Sequence, residues 1–152
     1  MENDVNAAVS GYCAQEDHEE SDCVVGVYFP ENYPPGMGIQ LNGEIVKGKN
    51  GMAGEIKFLP IDVDWEKDID EKKFEKIVCK VVQTVNAILA PDHIILYQSK
   101  IKQKDWDCLW KDYQSNYPSA SDPKVVVSDD FQSDFNEGMK ALTLKRLEKV
   151  TN

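Results

Sequence analysis

With 152 residues, the chain has the length of one domain, able to bury roughly 70% of the surface its unfolded form exposes. Hydrophobic residues make up 41% and aromatics 9%, too much large apolar side chain for a disordered polymer. Seventeen Lys and Arg stand against 27 Asp and Glu, a net charge of −10, so the summed field repels phosphate backbones and anionic lipid and argues against direct nucleic-acid contact. The four cysteines, Cys13, Cys23, Cys79 and Cys108, are too widely spaced for a CxxC zinc pair or redox dithiol; reduced, mostly buried thiols are expected. No apolar run reaches the length of a membrane span. The opening MENDVNAAVS has neither the basic start nor the hydrophobic stretch of a secretory signal. A cytoplasmic address without membrane contact is the expectation.

Taken in order, Asn3 or Asp4 can cap a short helix through Val5, Ala7, Ala8 and Val9, and the acidic stretch Gln15 to Asp22 reads as a solvated loop. Cys23 to Phe29 is a nearly unbroken apolar run, the pattern of a central strand covered on both faces. Pro30, Pro34 and Pro35 end it. Met37 to Leu41 and Glu44 to Val46 flank Asn42-Gly43, the strongest short-range hairpin signal, because a type I′ turn needs positive φ at both central positions. After the glycine-rich GKNGMAGE and a linker from Pro60 to Asp68, helical spacing runs through Phe74, Ile77, Val78, Val81, Val82, Val85, Ile88 and Leu89. Pro91 stops that helix. His93 to Tyr97 is a short strand, Trp106, Leu109, Trp110 and Tyr113 mark another helix, and Lys124 to Ser128 is the last strand. A final helix from about Asp130 presents Phe135, Met139, Leu142 and Leu147 on one side, with Lys145, Arg146 and Lys149 near its negative dipole end.

Strands joined through a helix are normally parallel with a right-handed crossover. The expected fold is therefore α/β, a mixed sheet of three antiparallel and then two parallel strands with helices on both faces. It matches the ribonuclease H-like half-domain of actin-like ATPases, although topology alone does not fix function.

Three segments resemble the ROK family of bacterial sugar kinases and sugar-responsive repressors, in that family's order and spacing. NDVNAA, residues 3–8, resembles the NDxNAA motif, whose Asn holds sugar hydroxyls and whose Asp is the general base; these roles fall on Asn3 and Asp4. LNGEIVKGKNGMAGE, residues 41–55, is similar to the hairpin and AGEIGH signature, whose Glu holds the sugar ring; Glu55 takes that position. NAILAPDHIIL, residues 86–96, resembles the helix end and strand before the family's GGG loop. The resemblance covers nearly the whole chain but only the second half of a ROK protein. It implies that residues 1–152 are one domain, the carboxy-terminal lobe, with the amino-terminal lobe, its DxGGT phosphate segment and any DNA-binding segment absent.

The departures from the family pattern carry further expectations. In place of a GTGIGAG-like phosphate loop stands NYPPGMG, residues 32–38, whose Pro34 and Pro35 offer no N–H. In place of GGG stand Tyr97, Gln98 and Ser99, whose side chains fill the space an adenosine would need. AGEIGH becomes AGEIKF, so Phe58 replaces the zinc-ligating His, and the family's following cysteine cluster is missing. A phenyl ring ligates no zinc, so neither metal nor cofactor is expected. Phosphoryl transfer needs ATP's phosphates held in place, which argues against catalysis. The expected function is a sugar-sensing and dimerising domain of a ROK-type transcriptional regulator. Its partners would be a small carbohydrate effector, held by Asn3, Asp4 and Glu55, and further copies of itself. The alternative is the same lobe of a divergent ROK sugar kinase, with Asp4 as base in ATP-dependent hexose phosphorylation.

Plainer roles stand beside these. Asn3 and Asp4 also suit a helix cap, Glu55 a solvated or salt-bridged site, and Gly51 and Gly54 turns of positive φ. His93 reads as an edge or surface histidine. His18, among Glu16, Asp17, Glu19 and Glu20, supplies one imidazole and mobile carboxylates, a poor cation site. Trp106 and Trp110 read as core or interface, not as a sugar platform.

Overall fold

The computed structural model describes residues 4–16 and 22–151; Asn3 and His18 lie outside the described residues. The chain runs α1 (Asp4–Glu16), β1 (Cys23–Tyr28), β2 (Gly36–Leu41), β3 (Glu44–Ile45), α2 (Glu71–Leu89), β4 (His93–Tyr97), α3 (Gln103–Asn116), β5 (Lys124–Ser128) and α4 (Phe131–Thr151). The sheet order is β3-β2-β1-β4-β5. β1 pairs antiparallel with β2 and parallel with β4, so chain order is not sheet order: β4 docks on β1 rather than beyond β3. β5 continues the parallel half beside β4. The apolar run of β1 is the central strand its sequence predicts.

The expected Asn42-Gly43 turn is present, with φ of 53° and 77°. α2 starts at Asp70, whose carboxylate accepts from the Lys73 N–H, and ends where Ala90 turns left-handed just before Pro91. At the outer edge of β5 the Gln103 side-chain amide stands in for a further strand. It donates to the Val125 carbonyl at 3.0 Å and accepts from the Val127 N–H at 2.8 Å, which satisfies edge groups otherwise open to another chain.

Alternation along the strands sends side chains to two cores. Val25, Val27, Ile94 and Leu96 pack with α2 and α3, where Trp106 and Trp110 are buried. Val24, Ile95 and Tyr97 pack with Val5, Ala8 and Val9 of α1. α4 lies outside α1 at backbone contact: a Cβ on Gly138 would collide with the Ala7 carbonyl, and one on Gly11 with the Asp134 carbonyl. The Tyr97 hydroxyl crosses this layer and donates to Asp134 at 2.6 Å. Gln15 donates to the other oxygen of the same carboxylate at 2.9 Å.

Three expectations need correction. α1 continues through Gln15 and Glu16 rather than ending before them, since α4 gives its last turn something to pack against. Of the stripe expected on α4, Phe135 and Leu142 are half-buried but Met139 and Leu147 are 45% and 55% exposed; Gly138 is the buried residue, because close helix approach requires small residues. Ile88, placed in the core by its spacing, is exposed at the end of α2. Cys13, Cys23 and Cys79 are buried and Cys108 exposed, all four as free thiols. Among the described residues, no helix is long and apolar enough to cross a membrane.

Candidate functional site

The first half of β2 joins the two segments that carry the candidate ligand residues. On one face of the strand, α1 enters directly over its glycines: a Cβ on Gly38 would lie 2.8 Å from the Val5 carbonyl oxygen and 2.9 Å from the Asn6 nitrogen. Only glycine admits this approach, and it places Asp4, the residue before Val5, at the rim of the strand. Along the outer edge, β3 is too short to reach Met37, and the following loop returns to complete the pairing. The Met37 N–H donates to the Gly54 carbonyl at 3.1 Å. Gly54 has a φ of +89° and sits against the Met37 carbonyl, so Glu55 is delivered beside the same three residues that Asp4 flanks.

Asp4 is exposed and Glu55 half-buried. Neither carboxylate accepts a hydrogen bond or an ion pair from another described residue, leaving the lone pairs of both available to hydroxyl donors. Gly51 and Gly54 hold positive φ, as their turn role requires. Phe58, at the position where the family has a ligating histidine, is 72% exposed with Lys57 over its ring at 5.2 Å. Among the described residues no group of three or more His, Cys, Asp or Glu is arranged to hold a metal ion. His93 is half-buried at the start of β4.

The carboxyl ends of β1, β4 and β5 form the crevice where open α/β sheets commonly receive ligands. Here they are occupied by the chain itself. The Gln98 side chain folds back on its own loop, accepting from the N–H groups of Lys100 and Ile101 at 3.0 and 2.7 Å and donating to the Ile101 carbonyl at 2.8 Å. Tyr97 is 1% exposed and its ring faces α1 and α4; burial first, and then the bond to Asp134, push its hydroxyl pKa well above the ordinary value. Tyr28 and Phe131 stack across the opening at 4.0 Å. The hollows that remain are about 40 and 160 Å³; Glu31, Lys67 and Lys100 border the first, and Glu31 and Asp129 the second. Pro34 and Pro35 lead into β2 without an N–H between them.

Sequence reasoning named Asp4 and Glu55 from motifs, and the backbone brings both to the start of β2. It gave no sign of the internal bonding of Gln98, whose partners are backbone groups two and three residues away. No family model matches the sequence, and no curated protein matches it. Solved structures do. A ROK family protein from Streptococcus pneumoniae in complex with sucrose superposes with a TM-score of 0.68 at 11% identity, over 93% of this chain and 66% of that one. The fold is that of the ROK proteins. A ROK family glucokinase from Streptomyces griseus, in complex with glucose and AMPPNP, gives 0.66 at 11% identity over 93% and 67%. A ROK family transcriptional regulator, a homologue of the E. coli MLC protein, gives 0.58 at 12% identity over 92% and 51%. The chain therefore spans about two thirds of the first two structures and half of the regulator. Kinases and a regulator alike share the actin-like ATPase fold found here.

Proposed function

We propose that this chain is the carboxy-terminal, carbohydrate-sensing and self-associating lobe of a ROK-type transcriptional regulator and is not itself catalytic. The observation that carries the reading is a contrast: two unengaged carboxylates, Asp4 and Glu55, are held at β2, while the crevice at the strand ends is reduced to about 40 and 160 Å³. A ligand pocket for a molecule the size of a nucleotide needs several hundred cubic ångströms, and Pro34 and Pro35 offer a phosphate no N–H. Hydroxyl recognition needs only acceptors. In this reading Asp4 and Glu55 accept from sugar hydroxyls, with Asn3 beside them in sequence. Sugar occupancy shifts the balance between regulator states by binding one more tightly than the other. DNA contact belongs to another segment, in keeping with the net charge of −10, and the cytoplasm is the compartment where such a regulator acts.

The second reading, a ROK sugar kinase lobe with Asp4 as general base, draws on the same free carboxylate and on the likeness to the glucokinase. One pair of measurements separates the two. Calorimetric titration with hexoses and their N-acetyl amino derivatives should return saturable heat for one sugar, lost in Glu55→Gln and Asp4→Asn, with no heat from ATP. ATP-dependent hexose phosphorylation abolished by Asp4→Asn would instead establish the kinase.

A further inference from the structure

A larger hollow lies elsewhere. Between α2 and α3, on the side of the sheet away from α1, lies an open groove of about 670 Å³. Its floor is Leu109 and the buried Cys79. One wall ends an aromatic ladder that climbs out of the core along α3: Trp106 stacks on Trp110 at 5.5 Å, Trp110 on Tyr113 at 5.8 Å, and Tyr113 meets Tyr117 at 4.8 Å. Exposure rises along the ladder, from 1% at Trp106 to 57% at Tyr117. The two outer rings thus present apolar faces to the groove without a covering group.

The opposite wall carries Lys72, Lys76 and Lys80, four residues apart and so on one side of α2, about 6 Å from one to the next along the axis. All three are exposed, and among the described residues none is paired with a carboxylate. Glu75 and Asp112 also border the groove. Even so, Glu71 to Lys80 holds four lysines against two glutamates in a chain whose net charge is −10. A basic row thus stands beside a strip of exposed tyrosine on a chain that is acidic overall.

We propose that the α2–α3 groove is a docking site for an acidic polypeptide segment of a partner protein. Its carboxylates would align with Lys72, Lys76 and Lys80, and its apolar side chains would seat against Tyr113 and Tyr117. Charge complementarity selects this occupant: Lys72, Lys76 and Lys80, one turn apart, outnumber Glu75 and Asp112 at the groove, and their spacing gives an acidic segment a register as well as attraction. The proposal is independent of the carbohydrate reading, since the groove shares no residue with β2 or the Gly54 turn.

The test uses a fluorescein-labelled peptide of repeated Glu-Glu-Leu and a matched peptide of repeated Lys-Lys-Leu, with anisotropy as the readout. The acidic peptide should bind at least about tenfold more tightly than the basic one despite the chain's own negative charge, and should weaken as salt rises. Reversing the row with Lys72→Glu, Lys76→Glu and Lys80→Glu should remove that preference. Tyr117→Ser should weaken binding without changing its salt dependence. Each substituted side chain is exposed, and unchanged circular dichroism would show the fold kept. Equal binding of the two peptides, acidic binding that survives the reversal, or sedimentation showing a dimer that the reversal dissociates would each overturn the proposal, the last by assigning the groove to a second copy of this chain.

Discussion

The two faces of the sheet are built on opposite principles. Toward α2 and α3 the interior is filled by large side chains, with Trp106 at 1% and Trp110 at 6% exposed among valines and isoleucines. Toward α1 and α4 a smaller apolar cluster of Val5, Val9, Val24, Ile95 and Tyr97 lies beneath two helices that Ala7, Gly11 and Gly138 bring to backbone contact. The first face gains stability from a large buried apolar area, whereas the second adds to a smaller one the close contact of two helices and the bond between Tyr97 and Asp134. The helix that carries Asp4 belongs to the second face, so the candidate site depends on the rigid seating of α1 over Gly36 and Gly38 rather than on a hydrophobic cleft.

Truncation should hurt the first face most. Trp106→Ala removes the largest fully buried side chain and should cost about 4 kcal/mol in urea denaturation; a loss below about 1 kcal/mol would mean that this core is looser than its burial implies. Addition should hurt the second face. Gly138→Ala places a methyl into the Ala7 backbone and should cost about 3 kcal/mol, whereas Gly51→Ala, with open space around it, should cost only about 1 kcal/mol through its positive φ. Equal effects at the two glycines would erase the distinction. Tyr97→Phe keeps the ring and deletes the donor, with an expected loss of about 1.5 kcal/mol, partly offset because Gln15 still serves Asp134.

The smallest effect concerns pH. Burial pushes the thiols of Cys13 on one face and Cys79 on the other up to about 12 from an ordinary 9.0. Above pH 9 the unfolded chain loses these protons while the folded chain keeps them, so the contribution to stability is whole below pH 9 and declines toward pH 12. Cys13→Ala and Cys79→Ala should each flatten that decline in thermal melts at constant ionic strength. At pH 8 a thiol reagent should meet Cys108 alone, the exposed member.

The sequence displayed the first face more clearly than the second. Apolar spacing along α2, the continuous run of β1 and the Asn42-Gly43 turn each leave a periodic or positional mark, and each element stands where that mark puts it. α4 was legible as a helix but less so in its contacts: Phe131 and the buried Gly138 face α1 and the sheet, and of the predicted stripe Phe135 and Leu142 are half-buried while Met139 and Leu147 are exposed. Asp4 and Glu55 were legible through short motifs, but their meeting at β2 depends on Gly38 and Gly54, whose roles appear only when the backbone is folded. The Gln98 side chain, expected to fill the strand-end crevice, is turned onto its own loop, bonded to Lys100 and Ile101.

The account turns on which end of β2 and β1 meets ligand. Backbone amide shifts of the 15N-labelled chain, followed during titration with a hexose panel and separately with magnesium ATP, read this residue by residue. The prediction is saturable movement at Asp4 to Asn6, Gly36 to Gly38 and Gly54 to Glu55 with one sugar, and none with the nucleotide. Saturable movement at Glu31 to Tyr33 and Gln98 to Lys100 on adding ATP, with the sugar inert, would contradict it.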